Sequence, residues 1–582
     1  MNLKKIKLIY KKSKLFNVVR EINLFISNII YSSFFYKILF TRSHGENFFA
    51  KSYICKILNF LIKVILSVKN FLLPRELYAN SLFKKILSAI FDIKLNPVVL
   101  KSFSWQFISD FFDLNIEQKS QQVKKINFIR LIFFLLVLIL FFASAKLIGI
   151  KKAFLIIGGI IFSLLVLYKT QIGVYALAFF APLLPTKFIL ALILVTSFSF
   201  IFNLVFGGKE LDFKFNLIDV FIILFFVLIS YTTYISYIPM LSFKSALLYL
   251  LFIAFYFILK SSIKTKHELF IIASLLILSS SFVALIGISQ KYLGLNLNIH
   301  SWIDEEMFSD NKVRVFSTLD NPNVLGEYLL LIMPICLGSI YYFKNKVCKL
   351  FSGLIFILLS VCMLLTLSRG AWLGLIFALS VFIFLRDKKF LWLIIFLSFL
   401  SPIFIPKSFI QRFMSIGNMA DTSTSYRVGI WIGALKIIKD FWPIGIGLGT
   451  DNFVYVYQKY ALASSYALHS HNFYLQILID FGIAGLFLIL SIIFLFYKSL
   501  LVDNKFLHDD FIKTFKISLC AGMFGYLVQS LTDNTWYNYR IMFLFWFVMA
   551  LANIASNSSQ LNIWGKFKFL QHRHKLLNYE SK

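Results

Sequence analysis

The chain has 582 residues, of which 59% are hydrophobic and only 15% are charged, and its formal net charge is +32. Soluble domains have about 25% charged residues, and several apolar runs here are long enough to cross a bilayer, so a soluble globular protein is excluded. The composition predicts an all-α, polytopic transmembrane bundle of about 12–14 helices. In a membrane protein, basic residues hold loops in the cytoplasm and contact anionic headgroups, so we expect the lipid bilayer as a partner and no nucleic acid.

The first segment, residues 1–128, is basic and has short apolar stretches interrupted by lysines. It is interpreted as a membrane-associated region of amphipathic helices on the cytoplasmic leaflet, or equally as a charge-rich tail without a partner. The basic N-terminus lacks an uninterrupted apolar core, so no cleaved signal peptide is expected.

Long apolar runs follow, and we assign residues 129–316 to N-terminal transmembrane helices. The weakest crossing is Ile172 to Leu184, which is short and contains Pro182. Connections rich in Lys and Arg, such as Lys344 to Lys349 and Arg386 to Lys389, are predicted to face the cytoplasm. The same rule predicts that both termini are cytoplasmic, including a basic tail at 557–582.

A catalytic region is expected at residues 317–556, and it includes one long polar loop at 407–472. Counting crossings from the basic turn at Arg386 predicts that this loop faces outside. Arg369, at the end of a tight helical hairpin, is predicted to face the same compartment. Long loops on a rigid helical scaffold often carry chemistry.

Two arginines are candidate binding residues on that side. Arg427 and Trp431 are four positions apart and share a face of a predicted helix, on which Trp431 would sit at the membrane surface. Arginine binds a diphosphate well because its planar guanidinium donates bidentate, charged hydrogen bonds. Arg369 and Arg427 are therefore predicted to bind a membrane-anchored diphosphate. The alternative is that both arginines only extend their charged ends to the membrane interface and have no binding role.

His471 and Asn472 complete the predicted site. His471 is placed at the start of a helix whose Gly482 and Gly485 share its face, and a histidine suits general-base catalysis on a sugar hydroxyl. His469 is an equally plausible base by composition. A metal site at His469 and His471 is not expected, because no Cys or carboxylate ligand lies nearby at suitable spacing.

Three other features are interpreted as structural. Asn321 and Pro322 are predicted to begin a helix as N-cap and first helical residue. The run Gly445 to Gly449 follows Trp-Pro rather than a strand and lacks the third glycine of a dinucleotide site, so it is predicted to be a close-packed turn. The five cysteines show no metal-binding spacing and are expected to pack in the core.

Together these motifs resemble the O-antigen ligase and polymerase superfamily (Wzy_C). The resemblance rests on Asn321-Pro322-Asn323, Ser368 to Trp372, Arg427 to Trp431, Pro443 to Gly449, and His471-Asn472 followed at fixed spacing by Gly482 and Gly485. It extends roughly over residues 317–545.

The resemblance implies a GT-C-like fold and a multi-pass protein of the bacterial cytoplasmic membrane. It implies transfer of a glycan from an undecaprenyl-diphosphate-linked donor to a hydroxyl of a glycan, lipid or protein acceptor, without cofactor or metal. It assigns Arg369 and Arg427 to the diphosphate and His471 to catalysis, with Trp431 and Asn472 as further substrate contacts. Ligases often have Arg-x-x-x-Leu where this chain has Arg427-x-x-x-Trp431, which leaves a polymerase open.

Two alternatives belong to other functional classes. A transporter or flippase of lipid-linked glycan or of a small anion is disfavoured because few ionisable residues are predicted at mid-membrane depth. A membrane scaffold without activity predicts that changes at the arginines and at His471 are silent.

Overall fold

The computed structural model describes residues 150–205, 215–294, 314–387, 414, 417–418, 421–462, 466–502 and 509–557. The N-terminal region at 1–128 and nearly all of the C-terminal tail lie outside these residues. The described part of the chain forms fourteen helices and no strand. They are α1 (Ile150–Tyr168), α2 (Thr170–Phe180), α3 (Thr186–Val205), α4 (Leu217–Tyr234), α5 (Pro239–Ser262), α6 (Lys266–Leu293), α7 (Pro322–Tyr342), α8 (Lys346–Leu365), α9 (Arg369–Arg386), α10 (Thr422–Phe441), α11 (Thr450–Tyr457), α12 (Phe473–Leu501), α13 (Asp510–Gln529) and α14 (Tyr539–Ser556).

Ten of these helices are long and apolar enough to cross a membrane, namely α3 to α9 and α12 to α14. The predicted all-α, polytopic membrane fold is thus confirmed. The weak crossing predicted at Ile172 to Leu184 corresponds to α2, which ends before Pro182 and is shorter than a full span.

The centre of the bundle is formed by α7, α13 and α14, which are the most buried of the ten long helices. Helix α13 packs against both α7 and α9. Glycines permit the second contact: a Cβ atom on Gly374 of α9 would lie 2.6 Å from the carbonyl oxygen of Gly525 of α13. Such small residues let membrane helices approach closely. By contrast, α3 and α8 expose large apolar side chains such as Phe198 and Ile357, as expected for helices that face lipid.

The bundle has two chemically different ends. At one end, which we call the basic end, Lys266 forms an ion pair with Asp509, and Arg386 lies 3.7 Å from Asp510. The basic connections α5–α6 and α7–α8 are at this end. The other end, which we call the loop end, carries the segment 421–472. Helix α9 joins the two, because it begins at the loop end and ends at Arg386.

A buried polar network ties α4, α5 and α14 together near the basic end. Asp219 forms an ion pair with Lys260, and Tyr256 donates a hydrogen bond to the same carboxylate over 2.8 Å. Asn553 of α14 donates to Asp219 over 3.3 Å. The charge of Asp219 is therefore matched inside the fold, as burial of an ion pair requires.

The loop segment has a small core of its own. Apolar residues of α10 and α11 pack together and against α12, including Ile430, Ile437, Phe453 and Ile479. The predicted close-packed turn is confirmed: the backbone N–H of Ile446 donates to Ile479 over 2.8 Å, and Ser242 donates to the carbonyl of Leu448 over 2.7 Å.

The structure corrects one prediction about α12. Its N-cap is Asn472, so His471 precedes the helix and does not begin it. The helix is also interrupted at Gly482, whose φ of 64° and ψ of −165° are not helical. A Cβ atom at Gly482 would lie 2.6 Å from Pro443, so this glycine packs against the turn and does not share a helix face with His471.

Candidate functional site

The backbone of His471 has an uncommon conformation that several contacts maintain. Its φ is 48°, in the left-handed region that few residues other than glycine adopt. Its N–H donates to Nδ1 of His469 over 3.2 Å, and its carbonyl accepts from Trp431 Nε1 over 3.4 Å. Two residues further on, the N–H of Phe473 donates to the carbonyl of Ser530 over 2.9 Å. A strained residue that its surroundings hold in place is typical of functional sites.

Asp533, between α13 and α14, orients the His471 ring. Its Oδ1 lies 3.2 Å from Nδ1 of His471. Its Oδ2 accepts from Asn323 Nδ2 over 2.9 Å, and Asn323 Oδ1 in turn accepts from Arg314 over 2.9 Å. An ionised Asp533 favours the tautomer with the proton on Nδ1, which leaves Nε2 of His471 as a proton acceptor.

The electrostatics distinguish the two histidines. Burial, with the charges of His471 and Arg427, lowers the pKa of His469 to about 3, so its ring is neutral at physiological pH. Burial raises the pKa of Asp533, but the hydrogen bond to His471 and the charges of His471 and Arg427 outweigh it and hold this pKa below the usual range. Asp533 is therefore ionised and able to accept a hydrogen bond from the Nδ1–H of His471.

Arg369 begins α9 and is held by α10. Its Nη2 lies 2.9 Å from Oδ1 of Asp421, and both side chains are largely buried. Asp421 is also the N-cap of α10, because it accepts the N–H of Thr424. This ion pair fixes the start of α10 against the hairpin between α8 and α9.

Arg427 lies on the next turns of α10 and is half-buried. Burial lowers the pKa of its guanidinium, Arg369 lowers it further, and Asp533 and Asp421 raise it. None of the described residues forms a hydrogen bond or ion pair with the Arg427 side chain. A partly desolvated cation with unused donors favours binding of an anion.

The remaining predicted residues have local contacts. Trp431 Nε1 donates a hydrogen bond to the His471 carbonyl, and its position at the membrane surface stays a prediction. Asn472 uses both ends of its amide within the protein, since its oxygen accepts from the N–H of Leu475 and its nitrogen donates to the carbonyl of Leu531. These contacts position the loop, and a substrate contact by either residue stays a prediction.

The structure also corrects the reasoning about metal ligands. A carboxylate does lie beside the histidines, because ligand atoms of His469, His471 and Asp533 are all within 4.8 Å of one another. The sequence did not show this, since Asp533 is far along the chain. Nδ1 of His469 already accepts the N–H of His471, and the cation Arg427 is close enough to affect both groups.

Sequence reasoning missed the partners of every predicted site residue. Asp421, Asp533 and Asn323 are distant in sequence from Arg369 and His471, and only the fold brings them together. Asn323 was part of a recognised motif, but the motif was interpreted only as a helix start. Asp533 begins a connection that has no Lys or Arg up to Tyr539, which the positive-inside rule places on the outer side with His471, and this was a usable signal.

In the described part of the chain, Arg369, Arg427 and His471 thus lie at one end of the bundle. Asp533 interacts electrostatically with both Arg427 and His471. A family model described as O-Antigen ligase matches residues 354–490, which contain Arg369, Arg427, Trp431, His471 and Asn472. Asn323 and Asp533 lie outside the matched residues. No curated protein matches the chain. Residues 354–490 are thus similar to the O-antigen ligase domain, and this match supports the assignment of the chain to the O-antigen ligase and polymerase superfamily of glycan-transferring membrane proteins.

Proposed function

We propose that this protein transfers a glycan from an undecaprenyl-diphosphate carrier to an acceptor hydroxyl at the outer face of the bacterial cytoplasmic membrane. The observation that carries the proposal is the Arg427 guanidinium, which has no hydrogen-bond or ion-pair partner among the described residues and lies near the pair of His471 and Asp533. The guanidinium is suited to binding a diphosphate, and the histidine–aspartate pair is suited to removing the proton of a hydroxyl. Arg427 and His471 both lie within residues 354–490, which match the family model.

The arrangement of charges supports the outer face. The connections that contain Lys264 and Lys344, and the end of α9 at Arg386, lie at the basic end, opposite the candidate site. Basic connections are retained in the cytoplasm, so the loop end would face outside. A polyprenyl carrier holds its diphosphate at the membrane surface, where Arg427 would meet it.

In the proposed reaction, Nε2 of His471 accepts the proton of the acceptor hydroxyl as its oxygen attacks the anomeric carbon. The bond between that carbon and the diphosphate oxygen breaks, and the diphosphate leaves with the bonding electron pair. Arg427 and Arg369 stabilise the negative charge on the leaving group. Asp533 stabilises the protonated His471, as the third residue of a catalytic triad does. The proton then passes to solvent.

A single displacement inverts the anomeric centre. The proposal assigns no carboxylate as a nucleophile, so no covalent glycosyl intermediate forms. NMR of the donor and of the product glycan tests this step, because retention of anomeric configuration would require a double displacement.

We further propose that transfer is independent of metal, with His471 as a base rather than a ligand. Chelation by EDTA should then leave transfer by the purified protein unchanged. If chelation abolished transfer and one divalent metal restored it, the cluster of His469, His471 and Asp533 would be a metal site instead.

Surface-glycan analysis of a strain from which the gene is deleted tests the function as a whole. Loss of long chains with single repeats retained indicates a polymerase. Accumulation of long lipid-linked chains that are not attached to an acceptor indicates a ligase. Unchanged surface glycans and lipid-linked intermediates would contradict glycan transfer.

A further inference from the structure

A small polar cavity that opens to solvent lies beside His469, which is part of its lining, whereas His471 is not. It is formed by α5, the start of α11, the first turns of α12 and the connection between α13 and α14. The residues that matter here are Tyr249, Gln476, Asp480, Asn534, Trp536 and Tyr537.

The lining combines aromatic rings with neutral amides and a single carboxyl group. Tyr537 is partly exposed, whereas Tyr249 and Trp536 are buried in the wall. No Lys or Arg is among the described residues that line the cavity. This composition does not suit a diphosphate, which needs cations, but it does suit a sugar, whose apolar ring face packs on aromatic rings while its hydroxyls bind amides and carboxyls.

A buried side-chain oxygen of one lining residue lacks a partner among the described residues. Oδ1 of Asn534 is buried and accepts no hydrogen bond from the described residues. A buried amide oxygen without a donor is costly, and a ligand hydroxyl would remove that cost. Asn534 directly follows Asp533, so the cavity and the catalytic pair share one short segment.

The cavity is also connected to His471 by rings and hydrogen bonds. The ring centroid of His469 is 4.1 Å from that of His471 and 4.3 Å from that of Tyr537. Gln476 accepts the N–H of Ser470 over 2.8 Å and donates to Asp480 over 2.8 Å. A ligand in the cavity is thus one ring away from the proposed base.

We propose that this cavity binds the terminal sugar of the acceptor glycan and directs its hydroxyl past His469 to His471. The proposal rests on the proposed function, and it divides the site into arginines for the donor and a neutral, aromatic cavity for the acceptor. The acceptor sugar belongs either to another lipid-linked repeat or to a surface glycan, and the chemistry of recognition is the same for both.

The experiment measures equilibrium binding by calorimetry to the full-length protein in detergent. One probe is the oligosaccharide released by mild acid from the lipid-linked glycans of the deletion strain, and the other is the glycan released from its surface acceptor fraction. Neither probe carries the diphosphate.

We expect at least one of the two probes to bind the wild-type protein. Its affinity should be about 10-fold weaker in Asn534→Ala and in Tyr537→Ala, and unchanged in Arg427→Ala. Tyr537→Phe should retain binding, because the ring and not the hydroxyl makes the contact.

Tyr455→Ala is the matched control, since Tyr455 is an exposed tyrosine of α11 outside the cavity. Thermal unfolding of each variant separates lost binding from lost folding. Which probe binds identifies the source of the acceptor. Failure of both probes to bind the wild-type protein, or loss of binding in Arg427→Ala alone, would overturn the cavity assignment. Neither result would affect glycan transfer as shown by the deletion strain, so the two proposals fail separately.

Discussion

His471 and His469 are two positions apart but have different environments. His471 is half-buried beside the carboxylate of Asp533, whereas His469 is buried between two other rings. Because the pKa of His469 is lowered to about 3, it is a weak base. This difference follows from the fold and not from residue type, and it favours His471 as the general base.

His471→Ala should abolish transfer, and His469→Ala should leave it partly active. The first change removes the proton acceptor, while the second removes only a ring that holds the loop. Incorporation of glycan by membranes containing each variant at equal protein level is the measurement. If the His469 variant were the inactive one, the base would be assigned to His469 instead.

Arg427→Ala should lower transfer by about 10- to 100-fold for each charged hydrogen bond that it removes, since such a bond contributes about 1.5–3 kcal/mol. Arg427→Lys should restore part of the activity, because it keeps the charge but loses the bidentate geometry. Lys436→Ala is a suitable control, since Lys436 is exposed on the same helix. Normal glycan length and yield in Arg427→Ala would reject its role in binding the donor.

The lowered pKa of His469 also predicts a pH-dependent stability. An unfolded chain binds a proton at this position below about pH 6.5, whereas the folded protein does so only near pH 3. Stability from this residue is therefore complete above about pH 6.5 and is lost as the pH falls below it.

Thermal unfolding in detergent at pH 7.5 and at pH 5 tests this contribution of His469. Between these two pH values Asp533 stays ionised in the folded and the unfolded protein. The wild-type protein should lose more stability at pH 5 than His469→Gln does. Equal losses in the two proteins would show that His469 does not titrate on unfolding.

At the scale of elements, the turn between α10 and α11 determines where the loop lies. Three glycines of this turn have positive φ, and at Gly447 φ is 92°. A Cβ atom there would lie 2.2 Å from Oγ of Ser236, in the α4–α5 connection. The turn thus fits against the bundle only if residue 447 has no side chain, and α10, with Arg427, is positioned accordingly.

Gly447→Ala should therefore lower both thermal stability and transfer, with a backbone cost of about 1–3 kcal/mol before the clash is added. Gly353→Ala in α8 is the matched control, because nothing lies within 4 Å of a Cβ atom at that position. Limited proteolysis of the loop provides a second measurement. Equal stability of the two variants would contradict this account of the turn.

At the scale of the whole molecule, the separation of the basic end from the loop end predicts the topology. Lys344 is exposed in the α7–α8 connection at the basic end, and Lys459 is exposed after α11 at the loop end. In intact cells, a membrane-impermeant maleimide should label Lys459→Cys, and should label Lys344→Cys only after permeabilisation. The described native cysteines are buried and should contribute little background. The reverse pattern would place the candidate site in the cytoplasm.

The sequence predicted the general architecture well, because the signals are local. Long apolar runs, the hairpin before Arg369, and the Asn321 and Pro322 helix start each depend on a few adjacent residues, and the structure confirms them. The cysteines of the described residues behave likewise, since Cys336, Cys348, Cys362 and Cys520 are buried, while Cys55 lies outside those residues. One prediction that failed, a helix that begins at His471 with Gly482 on its face, assumed an uninterrupted helix.

The sequence by itself determined that the chain is a helical membrane protein with its basic connections on one side, and it identified the arginines and the histidine. Only the tertiary structure decided their partners, because Asp421, Asp533 and Asn323 reach the site through long-range packing of α7, α10 and α13. That packing makes His471 the oriented histidine, leaves Arg427 without an ion pair among the described residues, and forms the cavity beside His469. Hydropathy and residue spacing predict whether each segment is a helix and whether it faces lipid, water or protein. The chemistry of the site depends instead on distances between residues that are far apart in sequence.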